Sequence, residues 1–308
     1  MTRYTTTGTG TNGKIDPGLR AFARMLPRGF ALHRGLTVPR AAMSLAARFG
    51  KLRDVSIEVV NPNVSVRVHR PAGLPQRAPV LLWIHGGGMV MGSAAQDDKF
   101  CRRLSHLAGV VIAAVDYRLA PEHPYPTPLE DCYAALVWLT NQPWVDPTRI
   151  AIGGESAGGG LSAGLAVLAR DRGEVAPVLQ MLVYPMLDDR TGARPHDRRR
   201  IMWSARDNEA AWQWYLAGAD PNTAVPARNI DFTGLPPAWI GVGTLDLFLE
   251  ESLAYGEQLR AAGIAVHEEI AAGAFHGFDL IARNAPVSLR FFASQCRHLR
   301  AALVDHVP

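Results

Sequence analysis

Ser156 stands between two glycines in Gly153-Gly154-Glu155-Ser156-Ala157-Gly158, directly after the apolar run Arg149-Ile150-Ala151-Ile152. That spacing lets a strand turn sharply into a helix with a serine at the apex, because the strained turn leaves no room for a Cβ on either side. The hydroxyl then projects above a sheet and beside a helix N-terminus, where a serine attacks a carbonyl once a base removes its proton. A plainer reading of the same residues is a serine N-cap in a glycine-rich turn, in a chain that holds 29 glycines.

Earlier in the chain, His85-Gly86-Gly87-Gly88 follows the strand-like run Pro79-Val80-Leu81-Leu82-Trp83-Ile84. Successive glycines let the main chain approach a ligand and aim amide N–H groups at one point, which a developing oxyanion requires. Gly87 and Gly88 are read as two donors and the Ala157 N–H as the third. Taken by itself, the segment also reads as a flexible loop ending a buried strand. His85 competes for the role of base, but beside the glycine turn its expected work is to hold the loop by hydrogen bonding. A strand before the serine, a helix after it and a glycine-rich segment upstream form the context in which this turn carries a nucleophile.

An acid and a base are expected downstream, in the order nucleophile, acid, histidine. Strand-like Ala238 to Gly243 ends in Thr244-Leu245-Asp246, and Ile264 to Ile270 is followed by Gly273-Ala274-Phe275-His276-Gly277-Phe278. Both Asp246 and His276 sit just past the carboxyl end of a strand, where open α/β sheets collect functional groups. His276 also reads as one semi-buried histidine among ten. Glu250 and Glu251 rival Asp246, but one turn further on they are expected to cap the next helix by charge.

These residues carry a family resemblance. The chain resembles the hormone-sensitive-lipase-like branch of the α/β-hydrolases, the bacterial family IV carboxylesterases, over about residues 50 to 305. His85 to Gly92 resembles that branch's oxyanion loop, Asp116-Tyr117-Arg118-Leu119-Ala120-Pro121-Glu122-His123-Pro124-Tyr125-Pro126 its most recognisable internal stretch, and Gly154 to Gly158 its elbow. Tyr184-Pro185, Gly234-Leu235-Pro236-Pro237-Ala238 and His276-Gly277-Phe278 follow in the family's order. Two departures stand out: Glu155 occupies a position that is often aspartate or threonine, and the segment after Asp246 is more apolar than usual. The resemblance implies hydrolysis of short- to medium-chain monoacyl esters, with Ser156, Asp246 and His276 as the triad and no cofactor. It also implies a helical cap and a homodimer through the last strand and helix.

The supporting elements are legible without the family. Val55 to Val60 and Val64 to His69 flank Asn61-Pro62-Asn63 and imply an antiparallel pair. From Pro79 onward, strands at 79–84, 110–115, 149–152, 178–183, 238–242 and 264–270 alternate with helical periodicity at 99–107, 129–139, 156–170, 250–262 and 288–303. This is the α/β class, a mostly parallel sheet with helices on both faces. Residues 1–13 read as a disordered tail, 51–187 and 226–308 as the catalytic domain, and 14–50 and 188–225 as two cap segments. The first cap segment spaces Phe22, Met25, Leu26, Phe30 and Leu32, then Ala41, Met43, Leu45 and Phe49, roughly as a helix would. The second gathers Trp203, Trp212, Trp214 and Tyr215. Met89, Tyr184, Trp203 and Trp212 are expected in the pocket wall, with core packing the competing role for the tryptophans.

Composition excludes several classes. A formal net charge of +4 over 308 residues, with no basic run interleaved with aromatics, points away from nucleic acid. Arg198-Arg199-Arg200 reads as a solvated charge run. No apolar stretch has transmembrane length and no export segment opens the chain. Cys101, Cys132 and Cys296 are odd in number and widely spaced, which argues against a disulfide framework and against a metal site and suits a reducing cytoplasm. Two rivals share the residues: a lid-covered small-molecule receptor without turnover, and an amide or lactone hydrolase with the same triad.

Overall fold

The computed structural model describes residues 14–50, 52–191 and 200–305. The expected tail over 1–13, and Arg198 and Arg199 of the charge run, lie outside the described residues. Eight strands, β1 (Ser56–Asn61), β2 (Val64–His69), β3 (Ala78–Ile84), β4 (Val111–Asp116), β5 (Val145–Glu155), β6 (Gln180–Val183), β7 (Ala238–Gly243) and β8 (Val266–Ala271), form one sheet in the order β1-β2-β4-β3-β5-β6-β7-β8. The β1–β2 hairpin and the β2–β4 pair are antiparallel, and every pair from β4 through β8 is parallel.

Helices α1 (Arg20–Met25) and α2 (Thr37–Gly50) precede the sheet. Within and after it come α3 (Asp98–Ala108), α4 (Thr127–Thr140), α5 (Ala157–Arg172), α6 (Ala205–Leu216), α7 (Pro221–Ala224), α8 (Leu249–Ala261), α9 (Phe278–Ile281) and α10 (Pro286–Arg300). Strand β3 is apolar and buried at every position because both faces of the sheet are covered. In β3, Val80, Leu82 and Ile84 join one core with Leu136 of α4, Leu161 and Leu165 of α5 and Leu259 of α8. Leu81 and Trp83 join the other, with Leu104 of α3 and Phe291 and Leu299 of α10. The period-two alternation of a strand thus serves two hydrophobic layers at once.

The elements agree with the periodicity to within a few residues, apart from β5. It begins at Val145, which pairs with Ala78, and the ladder resumes only at Ile150 opposite Val80. The Asp146-Pro147-Thr148 turn between them hides this start from a reading of hydrophobicity.

The first helical segment departs from its expected pattern. Pro27 and Gly29 break the run, so α1 stops at Met25 and helix resumes only at Thr37. Met25 is 86% exposed and Leu45 55%, whereas Leu19, Leu32 and Ala47 take the buried positions.

Candidate active site

Ser156 follows the last residue of β5 and is the N-cap of α5, with φ 54° and ψ −119°. A non-glycine residue at that φ is strained, and the surrounding structure holds it there. A Cβ at Gly158 would overlap the Ile84 carbonyl oxygen, and one at Gly154 would meet the same oxygen. The two glycines therefore let α5 start against the end of β3, which is the reason the motif has its spacing.

Asp246 lies just after β7, and His276 in the loop between β8 and α9. His276 Nε2 is 2.9 Å from Ser156 Oγ, and His276 Nδ1 is 2.8 Å from Asp246 Oδ2. The other Asp246 oxygen, Oδ1, accepts the Phe248 amide at 3.0 Å, which fixes the carboxylate plane. Ser156 and His276 are 6% and 8% exposed and the Asp246 side chain is fully covered, so this chain of hydrogen bonds is shielded from water. Residues 120 apart in sequence meet because both loops leave the same edge of the parallel sheet.

The glycine loop passes beside the serine: a Cβ at Gly86 would sit 3.3 Å from the Ser156 Cβ. Gly87 and Gly88 take left-handed φ of 118° and 64°, and the amides of Val90 and Met91 close the turn on the Gly87 carbonyl. Among the described residues, the amides of Gly87, Gly88 and Ala157 donate to no protein acceptor. Unpaired N–H groups of this kind are the donors an oxyanion requires. His85 is fully buried, with Nδ1 2.8 Å from the Gly86 carbonyl, and stacks on Tyr117 at 4.2 Å while the Tyr117 hydroxyl donates to the His85 carbonyl. Burial keeps the His85 pKa below the usual imidazole range, so the ring is neutral and is engaged away from the serine.

Three expectations are corrected. Tyr184, expected in the pocket wall, packs edge-on against His276 in the core and is 1% exposed, its hydroxyl donating to the buried Asp279 carboxyl at 2.9 Å. Glu251 opens α8, as expected, yet it is buried rather than a solvated cap: its Oε1 accepts the Leu187 amide at 2.6 Å, and Thr191 donates to its Oε2. Glu250 stays exposed in the first turn of α8. Arg200 is half-buried and donates to the Asp246 main-chain carbonyl at 2.8 Å, so this end of the arginine run buttresses the loop of the acid.

Of the other expected wall residues, Trp203 packs on Gly88, where any Cβ would strike its indole, and Met89 and Trp212 line a small apolar cavity with Leu129, Gly160 and Gly164. The two expected cap segments join through Asp207 of α6, which accepts the amides of Phe30 and Leu32, both at 2.9 Å.

A carboxylate cluster beneath the elbow had no sequence signal. Glu155, Asp97 and Asp279 are all buried, and burial, then their mutual repulsion, pushes the Glu155 carboxyl well above its usual range. Burial also lifts Asp279 to about 6. Among the described residues, no cluster of histidine, cysteine or acidic side chains has the arrangement of a metal site.

The family described as the alpha/beta hydrolase fold matches residues 81–280. The carboxylesterase NlhH of Mycobacterium tuberculosis is 33% identical, over 94% of this chain and 96% of its own length. The esterase LipI of the same organism is 34% identical, over 86% of this chain and 88% of its own. Among solved structures, a bacterial heroin esterase superposes with a TM-score of 0.84 at 34% identity, covering 96% of this chain and 99% of that one. The strand-turn-helix around Ser156, the glycine loop beside it and these similarities lead to one conclusion: the chain belongs to the α/β-hydrolase fold family, in its hormone-sensitive-lipase-like branch.

Proposed function

We propose that the chain is a serine carboxylesterase that hydrolyses short- to medium-chain acyl esters through an acyl-enzyme. The observation that carries the reading is the unbroken relay of Ser156 Oγ, His276 Nε2, His276 Nδ1 and Asp246 Oδ2, at 2.9 and 2.8 Å. His276 takes the Ser156 proton as Oγ attacks the ester carbonyl, and Asp246 holds the Nδ1–H tautomer and steadies the charged imidazole. The Gly87, Gly88 and Ala157 amides receive the oxyanion, each worth about 3 kcal/mol of barrier. His276 then protonates the departing alcohol, and water repeats the sequence on the acyl-serine.

Substrate size follows from what surrounds the serine. The acyl group is assigned to the small apolar cavity between Met89 of the glycine loop, Leu129, Trp212 and the Gly160 and Gly164 face of α5. Its small size favours short acyl chains over long ones. Residues 14–50 and 200–225 serve as the cap: they meet at Asp207 and lay Trp203 over Gly88. No helix among the described residues is long and apolar enough to cross a membrane. Free thiols at Cys101, Cys132 and Cys296 support a reducing, cytoplasmic setting. A homodimer through β8 and α10 is supported by the position of β8 at the sheet edge, where its outer hydrogen-bonding side is unpaired.

The decisive experiment combines a p-nitrophenyl ester series with stoichiometric phosphonate labelling. Turnover that is highest from acetate to hexanoate, together with a label on Ser156, supports the reading. An optimum beyond about twelve carbons refutes the proposed chain length, and a protein inert to both reagents is the receptor-like alternative instead.

A further inference from the structure

We propose that Arg40, on α2, is a positioning residue that holds the glycine loop in its oxyanion-binding conformation. This rests on the reading of Gly87 and Gly88 as oxyanion donors. The Arg40 guanidinium reaches three partners at once. Its Nε donates to the Val90 carbonyl at 2.7 Å and its Nη2 to the Ala120 carbonyl at 2.7 Å, while Nη1 and Nη2 grip the two oxygens of Glu122 at 2.6 and 2.7 Å.

Each partner has a defined place in the loop assembly. Val90 ends the turn that begins at Gly87, since its amide donates to the Gly87 carbonyl at 3.2 Å. Ala120 belongs to the stretch after β4 that pins the same turn, because its amide donates to the Met89 carbonyl at 2.9 Å. Arg40 therefore ties together two main-chain segments that already touch, one bond on each side of their own contact. Between them lies Met89, whose φ of 63° is strained for a side chain with a Cβ and persists only under external restraint.

The physical chemistry selects arginine for this place. Val90 is fully buried, so its carbonyl without a donor bears a desolvation cost that the loop relieves by moving. A planar guanidinium offers five N–H donors in fixed directions, enough for two carbonyls and a bidentate carboxylate, whereas a lysine ammonium is a single compact point of charge. Glu122 orients the fork. Arg40 holds its carboxyl down at about 2, so it stays ionised at any working pH. The ion pair is partly exposed and is worth little as a surface salt bridge; its value lies in aiming the other donors. Through Arg40, the first cap segment sets the geometry of donors that belong to the catalytic domain.

The test measures p-nitrophenyl acetate kinetics and inhibition by an aryl trifluoromethyl ketone, which forms a tetrahedral oxyanion adduct on serine, in wild type, Arg40→Ala, Arg40→Lys and Glu122→Gln. Arg40→Ala is expected to lower kcat about tenfold or more, with KM changed less than about threefold, because misplaced donors weaken the transition state and not substrate binding. The ketone's inhibition constant should rise in proportion to the loss of kcat/KM. Arg40→Lys should recover only part of the activity, and Glu122→Gln should fall between Arg40→Ala and wild type. A folded Arg40→Ala with kcat within about twofold of wild type, or one whose KM rises while the ketone binds as before, overturns the proposal. Should Arg40→Ala not fold, Arg40→Lys decides it: unaltered kcat and unaltered ketone affinity overturn it equally. A wild-type protein inert to ester and ketone instead refutes the esterase reading, which keeps the two failures distinct.

Discussion

The ring of Tyr184 stands edge-on to the imidazole of His276, with centres 4.9 Å apart and planes at 65°. The contact joins the reacting histidine to the carboxylates below it, because the Tyr184 hydroxyl donates to Asp279 Oδ1 at 2.9 Å and lies 3.3 Å from Glu155 Oε2. With one proton to give, the phenol serves the nearer group, and burial pushes the Glu155 carboxyl well above its usual range. Tyr184→Phe keeps the ring against His276 but leaves Asp279 short of a donor. The expected cost is about 1–3 kcal/mol of stability in urea unfolding, with kcat reduced less than tenfold. A loss of kcat by hundreds, at unchanged stability, would return Tyr184 to direct contact with substrate.

Asp279 gives the same cluster a pH signature. Its carboxyl rises from 3.8 to about 6, chiefly through burial, so the folded state keeps a proton that the unfolded chain releases. The stability linked to this group is fully present below about pH 4 and is lost as pH rises toward 6. Each pKa unit corresponds to about 1.4 kcal/mol, so the change is on the order of 3 kcal/mol. Asp98 and Glu122, both held near 2, work in the opposite sense and lose their contribution only below about pH 4. Asp279→Asn should therefore flatten the pH dependence of urea midpoints between pH 4 and 6 and leave the acid limb below it. A wild-type midpoint that rises across that window would contradict the burial argument.

The elbow, the glycine loop and the order of serine, aspartate and histidine were legible because each depends on local backbone chemistry: glycines where a Cβ cannot fit, and functional groups at strand ends. The central strands were legible because burial on both faces leaves continuous apolar runs. What stayed hidden depends on contacts between distant segments. Arg40 meets Glu122 across 82 residues, and Tyr184 meets Asp279 across 95, with nothing at either end of each pair to announce its partner. Glu251 looked like a helix-capping charge because its first-turn position is correct, and only packing reveals that segment 187–191 covers it. Arg200 misled similarly, since a run of three arginines reads as solvated whichever of them turns inward.

Gly164 offers a test of the acyl cavity that does not touch the relay. It lies inside α5, where glycine is costly, and the nearest atoms a Cβ there would meet across the fold are the Leu129 methyls at 3.6 and 3.8 Å and Pro226 at 3.9 Å, all ordinary contacts. Gly164→Ala should therefore stabilise the protein by about 0.5–1 kcal/mol in thermal or urea unfolding. The same methyl enters the cavity shared by Met89 and Trp212. Selectivity should move toward acetate, with the butanoate-to-acetate ratio of kcat/KM falling by an amount worth about 1–3 kcal/mol. A more stable variant with an unchanged ratio would place the acyl chain elsewhere.

Asp246→Asn separates the chosen acid from its neighbours and follows from the two bonds the carboxylate makes. Oδ1 accepts the Phe248 amide, so an asparagine that keeps its oxygen there must present its NH2 group toward His276 Nδ1. Two donors then oppose each other. The imidazole relieves the clash by moving its proton to Nε2, which leaves a donor, not an acceptor, facing the Ser156 hydroxyl. The base is lost with its position unchanged, and kcat is expected to fall about 10⁴-fold in a protein that unfolds at a similar urea concentration. Neither nearby glutamate can substitute, because Glu250 is exposed on α8 and Glu251 is occupied by the Leu187 amide and Thr191. Phosphonate labelling of Ser156 should slow in step with kcat, since both depend on removing the same proton. Activity within about tenfold of wild type would mean that Asp246 does not set the histidine's tautomer, and the relay would have to be redrawn through another group.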